Sequence, residues 1–475
     1  MSLKTSQDPF RQRIDVNMSD NFMRSAVANA QERMFNNRAN AAEQLGHWDQ
    51  WREMGRIIRD HVLENLDYYL EQLSEKVQSN GGHVFFAKTA EDARQYIEKV
   101  IREKQAKSIV KSKSMVTEEI GMNQMIESLG CEILETDLGE YILQMDDGDA
   151  PSHIVVPALH KDRENIREVF EKKLGYTGSS EPEQMTRFVR QKIRHNFLEA
   201  DIGITGCNFA VAESGTVSLV TNEGNARFTT SLPKTHIAVM GMERLVPTFK
   251  ELDIMLSLLC RSAVGQPLTS YITALTGPRE SDQVDGPEDF HLVIVDNGRS
   301  DILASSFHDI LRCIRCAACV NTCPAYRHIG GHSYGSIYSG PIGAVLSPLL
   351  GGYKDFKELP YACSLCKGCN DVCPVKIPLA QLMLKHRQVM AESKLTDSRE
   401  RMMVGAFNYI NSHPKLWSPF VKTGAKVAKM VIKDGRLPID LVKAWSVSRD
   451  LPEPDGQAFR SWFKEHRKAQ TKGDK

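Results

Sequence analysis

Eight cysteines are spaced so that they could bind two metal clusters. They form two runs of the pattern C-x2-C-x2-C-x3-C, closed by Pro324 in the first run and by Pro374 in the second. The cysteines of the runs are Cys313, Cys316, Cys319 and Cys323, then Cys363, Cys366, Cys369 and Cys373. This is the spacing of bacterial-type iron–sulfur runs. Two such runs predict two [4Fe–4S] clusters, and paired zinc ribbons are the alternative for the same residues.

The geometry of a run predicts how the thiolates are shared. Three cysteines in a tight loop can point at one object, whereas the fourth begins the next segment and points away. In two-cluster ferredoxins the fourth cysteine ligates the other cluster. We therefore expect one cluster on Cys313, Cys316, Cys319 and Cys373, and the other on Cys363, Cys366, Cys369 and Cys323. Because proline lacks an N–H, the two prolines are expected to stop helix growth and to aim the fourth ligand.

Composition narrows the class of protein. The chain has 475 residues, of which 41% are hydrophobic and 25% charged, so it should form about three globular domains. Its formal net charge is zero, which argues against a nucleic-acid partner. Only three of the 11 cysteines, Cys131, Cys207 and Cys260, lie outside the runs, and we expect them to be inert core residues. This usage indicates metal binding in a reducing compartment.

Segment patterns predict four regions. Residues 1–79 have apolar residues at helical spacing, and residues 80–300 alternate short β runs with helical stretches, as in an α/β domain with a largely parallel sheet. Residues 153–158, HIVVPA, are among the predicted strands. Residues 301–392 predict an α-helical ferredoxin-type module with two [4Fe–4S] clusters, because the spacer between the runs has room for helices. Residues 393–475 predict a helical carboxyl-terminal region.

Location is predicted from what the sequence lacks. The amino terminus is polar, without the apolar segment of a secretory signal, and no stretch approaches the ~20 apolar residues that cross a bilayer. We therefore expect a cytoplasmic protein without a transmembrane segment. Lysines at helical spacing in the carboxyl-terminal region leave peripheral contact with a membrane open, with a solvated helix face as the commoner explanation. They are Lys422, Lys426, Lys429 and Lys433.

Two polar loops of the α/β region are candidate ligand sites. The first contains Lys111, Lys113 and Ser114, and the second contains Glu213, Thr216, Asn222, Glu223 and Arg227. At the carboxyl ends of parallel strands they could bind a small carboxylate or phosphate compound. A charged loop with a helix cap and a pair of ordinary turns are the alternatives. There is no G-x-G-x-x-G or Walker A sequence.

Aromatic and histidine side chains give weaker signals. Five of them lie in the spacer between the cysteine runs, at Tyr326, His328, His332, Tyr334 and Tyr338. They either shield the clusters from water or pack as ordinary loop residues. His153 and His160 could serve a metal or acid–base role, but structural or solvent-facing histidines are the simpler interpretation.

Nearly the whole chain resembles the lactate utilisation protein B family, the iron–sulfur subunits of a bacterial three-protein L-lactate oxidation system. Besides the cysteine runs, the resemblance rests on IVKSKSMVTEEI, TDLGEYILQ, PSHIVVPALHKDR, GITGCNFAVAESGT, TNEGNAR, LPKTHIAVMG and GGHSYGSIYSGPIG. It implies an α/β domain similar to sugar-isomerase and CoA-transferase-like domains. It also implies two partners, a cysteine-rich subunit and a second protein with the same α/β domain.

The resemblance implies an electron-transfer subunit of an oxidoreductase complex that oxidises L-lactate to pyruvate. The acceptor of the electrons and the catalytic residues stay unassigned. The other hypothesis is that the α/β domain is itself a catalytic or ligand-binding unit for a small carboxylate or phosphate compound.

Overall fold

The structure, a computed structural model, describes residues 3–432 and 459–473. The chain divides into two units, Met1–Gln388 and Val389–Lys475, and each is described by itself. The helices of the first unit are α1 Phe10–Ser19, α2 Asn21–Leu45, α3 Trp48–Glu64, α4 Leu66–Ser79, α5 Ala90–Glu103, α6 Met115–Glu119, α7 Met122–Ser128, α8 Leu138–Met145, α9 Arg163–Leu174, α10 Pro182–Glu199, α11 Asn225–Ser231, α12 Phe249–Val264, α13 Arg299–Leu303, α14 Ala318–Asn321, α15 Pro324–Ile329, α16 Gly340–Gly351, α17 Tyr353–Phe356 and α18 Gly368–Val372, and α19 Leu379–Glu392 crosses into the second unit.

Within the described residues, the strands form two sheets. They are β1 His83–Ala87, β2 Ser108–Lys111, β3 Glu132–Glu135, β4 Ile202–Thr205, β5 Phe209–Val211, β6 Thr216–Thr221, β7 Thr235–Gly241, β8 Leu245–Val246, β9 Tyr271–Leu275 and β10 Asp289–Val295. Six of them make a sheet of order β1-β10-β7-β4-β2-β3, in which every described pair is parallel. The predicted α/β fold with a parallel sheet is therefore confirmed.

Helices cover both faces of this sheet, which is why its central strands are apolar on both sides. On one face, Ile97 and Ile101 of α5 pack with Val239 of β7. On the other face, Leu73 and Val77 of α4 pack with residues of β7 and β10. Helix α4, which lies in the predicted helical region 1–79, is thus part of the core on this face of the sheet. Its sequence predicts this, because the buried residues of α4 recur at three- and four-residue spacing.

A second sheet was not predicted. Strands β5 and β6 form an antiparallel hairpin that extends on both sides into a four-stranded sheet of order β8-β5-β6-β9. The hairpin turn passes through Gly215, whose φ of +74° favours glycine, and a Cβ there would lie 2.8 Å from the backbone N of Val77. The alternation of apolar residues identifies both strands but carries no information about their partners.

The predicted strand over residues 153–158 is wrong, because this segment forms bends and turns. Its backbone polar groups are satisfied without a neighbouring strand. The ring Nδ1 of His153 accepts hydrogen bonds from the backbone N–H groups of Val155 and Val156, both at 3.1 Å. The carbonyl of Val155 accepts one from Lys113 at 3.2 Å. Side chains thus replace the hydrogen bonds that a strand would make with a neighbouring strand.

Short helices build the iron–sulfur region, as predicted. Helices α14 to α19 alternate with three 3₁₀ turns, at His308–Arg312, His332–Tyr334 and Leu359–Tyr361. The glycine-rich spacer lies close against the α/β region. A Cβ on Gly331 would come within 1.7 Å of the carbonyl oxygen of Ser152, so only glycine fits there.

The second unit is helical where it is described. Besides the end of α19, it contains α20 Ser398–Ser412, α21 Pro414–Val431 and a last helix, Phe459–Gly473. Lys426 and Lys429 are exposed on α21, whereas Lys433 of the predicted basic face lies outside the described residues. Within residues 3–432 and 459–473, no helix is both long and apolar enough to cross a membrane.

Candidate iron–sulfur site

The two cysteine loops share one backbone conformation. Arg315 and Ala317 have φ of 60° and 61°, and the residues at the same places in the second loop, Leu365 and Lys367, have φ of 58° and 65°. Positive φ is uncommon for residues other than glycine. Each loop is followed by a short helix, α14 or α18. This repeated backbone conformation lets the first three cysteines of each run face one point.

The eight cysteines gather around two cavities. The first cavity is lined by Cys313, Cys316, Cys319 and Cys373. The second cavity is lined by Cys363, Cys366, Cys369 and Cys323. Each cavity therefore meets three cysteines of one run and the fourth cysteine of the other, and we call them the first and second cavity below.

The fourth cysteines are positioned by the backbone that follows them. Cys323 caps the amino end of α15, and its Sγ accepts a hydrogen bond from the N–H of Tyr326 at 3.5 Å. Pro324 is the first residue of that helix, so it begins a helix where the sequence predicts only an end. The Sγ of Cys373 accepts from the N–H of Ile377 at 3.3 Å.

Backbone donors also reach the first cysteine of each run. The N–H of Arg315 donates to Cys313 Sγ at 3.4 Å, and the N–H of Leu365 donates to Cys363 Sγ at 3.3 Å. Hydrogen bonds to a thiolate stabilise its charged form, and around an iron–sulfur cluster they tune its potential. A backbone N–H at the same place in both loops therefore stabilises the thiolate form of the first cysteine in each run.

The donor set fits a cationic metal group. Burial raises the pKa of the Cys373 thiol to about 11, although the N–H of Ile377 opposes this shift. Burial and the neighbouring cysteines together raise the pKa of Cys369 to about 12. Thiols that crowd one another in this way would hold their protons at neutral pH, whereas a bound metal deprotonates them. A set of four thiolates favours iron–sulfur or zinc binding.

The aromatic side chains of the spacer lie near these cavities. Tyr326, Tyr334 and Tyr338 are fully buried. Tyr334 lines the second cavity. Tyr326 donates from its hydroxyl to the carbonyl of Ser152 at 2.8 Å. His328 is exposed and His332 is partly buried.

Buried ion pairs lie at the carboxyl edge of the parallel sheet, and a hydrogen bond from Tyr338 connects them with the iron–sulfur region. Arg299 follows β10 and donates to both carboxylate oxygens of Glu119, each at 2.9 Å. Its Nε donates to Glu243, which follows β7, at 2.8 Å. The hydroxyl of Tyr338 donates to Glu119 at 2.7 Å. In open α/β folds this edge usually binds the ligand, and here the spacer between the cysteine runs packs against it.

The first polar loop is largely paired within the protein. Lys111 is fully buried, and its ammonium group lies 2.7 Å from Glu135 and 2.9 Å from Glu118. Ser114 caps α6. Lys113 is partly exposed and lies 4.0 Å from Glu140. Of the two lysines, Lys113 is therefore the one whose side chain solvent or a ligand can reach.

The residues of the second polar loop have local contacts. Glu213 accepts from the N–H of Phe249 at 3.0 Å, Thr216 pairs with Ser214 at 2.7 Å, Asn222 accepts from Ser270 at 3.1 Å, and Arg227 lies over the ring of Tyr271 at 5.7 Å. Glu223 differs, because it accepts from the N–H of Leu138 at 3.1 Å. Burial and, to a smaller extent, the nearby Asp137 together raise the pKa of Glu223 to about 7.

The two histidines singled out above and the three cysteines outside the runs have structural surroundings. His153 is buried and its Nε2 lies 3.0 Å from Asn321 Oδ1, while His160 lies 2.9 Å from Asp149. Cys260 is buried in α12. Burial raises the pKa of Cys207 to about 12, and the Sγ of Cys131 donates to the carbonyl of Ala106 at 3.3 Å.

Glu140 was missed by sequence reasoning, because a glutamate in the first turn of a helix resembles a surface residue. It is 8% exposed. Burial raises its pKa from 4.5 to about 8; Lys113 opposes the shift and Glu135 adds to it. The folded protein therefore keeps this proton at pH values where the unfolded chain has lost it.

We expect a pH effect on stability from Glu140. Between its unfolded pKa near 4.5 and its folded pKa near 8, the native state binds more protons, so the free energy of unfolding falls as pH rises through this range. The uncharged Glu140→Gln variant should lose less stability than the wild type between about pH 5 and about pH 8. Thermal unfolding midpoints measure this, with exposed Glu168→Gln as the control. Equal losses in all three proteins would contradict the prediction.

Family models match three segments of the chain. The LUD domain matches residues 70–295, and the 4Fe-4S dicluster domain matches residues 309–377. The model "Lactate utilisation protein B, C-terminal" matches residues 384–468. Together they cover the regions in which the α/β sheet, the cysteine loops and the carboxyl-terminal helices lie.

Curated relatives match along their full length. "Uncharacterized electron transport protein YkgF" of Escherichia coli K12 is 62% identical over 474 residues, covering 99% of this chain and 100% of the relative. "Lactate utilization protein B" of Shouchella clausii is 58% identical over 474 residues, covering 98% and 99%. The protein of that name in Geobacillus sp. WCH70 is 60% identical over 480 residues, covering 99% and 100%.

Among solved structures, a DUF162 family protein from Deinococcus radiodurans is similar to part of the chain. The match covers 48% of this chain and 98% of the other, with 15% sequence identity and a TM-score of 0.27.

Proposed function

The chain belongs to the lactate utilisation protein B family, an iron–sulfur family, and we propose that it carries the electrons released when L-lactate is oxidised to pyruvate. The observation that supports this most strongly is the exchange of the fourth cysteines, Cys323 and Cys373, between two sulfur-lined cavities. The E. coli relative is named as an electron transport protein, which agrees with the proposal.

The proposal assigns a role to each cysteine. The first cavity holds one cluster on Cys313, Cys316, Cys319 and Cys373, and the second holds another on Cys363, Cys366, Cys369 and Cys323. Oxidation of lactate to pyruvate releases two electrons and two protons, and two [4Fe–4S] clusters supply two one-electron acceptors. The exchanged cysteines tie the two loops together, so they keep the acceptors close to each other.

Lactate itself is proposed to react elsewhere in a complex. The sequence has no motif for a hydride-accepting cofactor. The carboxyl edge of the parallel sheet, where such domains usually bind ligands, packs against the spacer between the cysteine runs through Tyr338 and Glu119. We therefore place this chain as the electron-transfer subunit beside a cysteine-rich subunit and a second subunit with the same α/β domain.

Electron paramagnetic resonance tests this function. The chain is purified anaerobically, alone and with its two proposed partners, and L-lactate is added to each sample. We expect reduced-cluster signals to appear in the complex and not in the chain alone, while dithionite reduces both. Pyruvate formation by a complex whose clusters stay oxidised would contradict the proposal.

A further inference from the structure

The two cysteine loops carry their cation at different positions, because Arg315 stands where the second loop has Leu365 and Lys367 stands where the first has Ala317. Both Arg315 and Leu365 precede the second cysteine of their run, both have positive φ, and both donate a backbone N–H to the first cysteine. The backbone is thus the same in the two loops. At the position of Arg315 and Leu365 only the side chain changes, from a guanidinium group in the first loop to an alkyl group in the second.

Arg315 has an unusual environment for an arginine. Its side chain is 10% exposed and lines the first cavity beside Cys313 and Cys316. Its guanidinium group lies over the ring of Tyr338 at 4.5 Å, and Nη2 is 3.8 Å from a carboxylate oxygen of Glu243. Nε and Nη1 are buried and have no hydrogen-bond partner. Buried donors are normally paired, so these two N–H groups indicate an acceptor that the protein alone does not provide.

Two further buried arginines lie near Cys313, which lines the first cavity. Arg59 is fully buried and donates only to carbonyls, among them that of Leu311 at 3.0 Å. Arg244 is 6% exposed and donates to the carbonyl of Cys313 at 3.2 Å. The buried carboxylates nearby are Glu119 and Glu243, and both are already paired with Arg299. Among these buried side chains, the four arginines Arg59, Arg244, Arg299 and Arg315 outnumber the two glutamates, which leaves an excess of positive charge beside this cavity.

The second cavity lacks such an excess among the described residues. Cys366 is exposed, and Lys367, which also lines this cavity, is exposed as well. Arg387 is half-buried and donates to the carbonyl of Cys363 at 2.7 Å. Water screens charges at such a rim much more effectively than it screens buried ones. The electrostatic environments of the two sets of cysteines are therefore unequal.

We propose that Arg315, supported by Arg59 and Arg244, raises the reduction potential of the cluster bound in the first cavity above that of the cluster in the second. Reduction adds negative charge, which a buried cation and its unpartnered N–H donors stabilise. This inference rests on the proposed function, because it needs a cluster in each cavity. Arg315 acts through its charge and its N–H donors, and it is not a ligand of the cluster.

Redox titration of the full chain under anaerobic conditions tests the proposal. The variant Arg315→Leu copies the residue of the second loop, Arg315→Lys keeps the charge but removes the fork of donors, and Lys367→Leu removes an exposed cation beside the second cavity. Cys366→Ser assigns each spectroscopic signal to a cavity. Iron content is measured for every variant, so that loss of a cluster is not mistaken for a change in its potential.

We expect Arg315→Leu to lower the equilibrium constant for reduction of the first-cavity cluster about tenfold or more. This corresponds to a reduction potential lower by about 59 mV or more for a one-electron couple. The signal of the second cavity should stay in place. Arg315→Lys should lie between the wild type and Arg315→Leu, and Lys367→Leu should leave the first-cavity signal unmoved. If Arg315→Leu fails to bind iron, the lysine variant carries the comparison.

Two outcomes would overturn the inference. The first is an unchanged potential of the first-cavity cluster in iron-loaded Arg315→Leu protein, or in Arg315→Lys if only that variant binds iron. The second is a wild type in which the cluster of the second cavity has the higher potential. A wild type with only one cluster would instead refute the proposed function. The iron content distinguishes this case from the other two.

Discussion

Replacing Cys369 by alanine is expected to remove one whole cluster, which would lower the iron content from about eight to about four atoms per chain. Cys369 is buried and lines the second cavity, so neither water nor another side chain can readily take its place. Cys131→Ala is the matched control, because Cys131 is a partly buried cysteine far from both runs in the sequence. It should keep its full iron content. Equal iron loss in both variants would contradict the ligand assignment.

The exchange of the fourth cysteines gives this experiment a sharper form. Cys323→Ala should abolish the same spectroscopic signal as Cys369→Ala, although the two residues belong to different runs. Cys373→Ala should abolish the other signal, together with Cys319→Ala. If Cys323→Ala instead removed the signal that depends on Cys319, each run would hold its own cluster, and the cavities of the structure would be wrongly paired.

Patterns along the sequence predict the elements of this fold well, because burial imposes a period on each segment. The strands β7 and β10 and the helices α4 and α5 follow directly from their apolar spacing. Pairing between strands is not local, which is why the separate sheet of β5 and β6 could not be predicted. The strand expected over residues 153–158 shows the same limit, since the ring of one histidine satisfies the backbone there.

Buried charges are the part of the candidate site that the sequence conceals. Glu119, Glu243 and Arg299 lie in three separate segments, each of which reads as an ordinary polar turn or helix end. Only the meeting of β2, β7 and β10 at one edge brings them together. Arg315 could have been singled out by comparing the two cysteine runs, since it stands where the second run has leucine. The comparison would show the difference but not the burial.

Arg299→Met should destabilise the first unit by about 3–5 kcal/mol, because it leaves Glu119 and Glu243 as buried carboxylates without their main cation. Arg299 is 1% exposed and makes three charge-assisted bonds to these two residues. The expected result is a lower urea midpoint in anaerobic, iron-loaded protein. Removing one of the two carboxylates as well, in Arg299→Met/Glu119→Leu, should recover part of the lost stability, because one unpaired buried charge is gone.

The control for this variant is Arg102→Met. Arg102 also bonds a glutamate, Glu98 at 2.8 Å, but its side chain is 66% exposed. Water solvates both partners when such a pair is broken, so the urea midpoint should hardly move. If Arg299→Met were as mild as Arg102→Met, the ion pairs at the sheet edge would be solvated, and the packing of the cysteine spacer against that edge would be looser than the structure has it. The contrast between the two arginines therefore tests how the iron–sulfur region is joined to the α/β sheet.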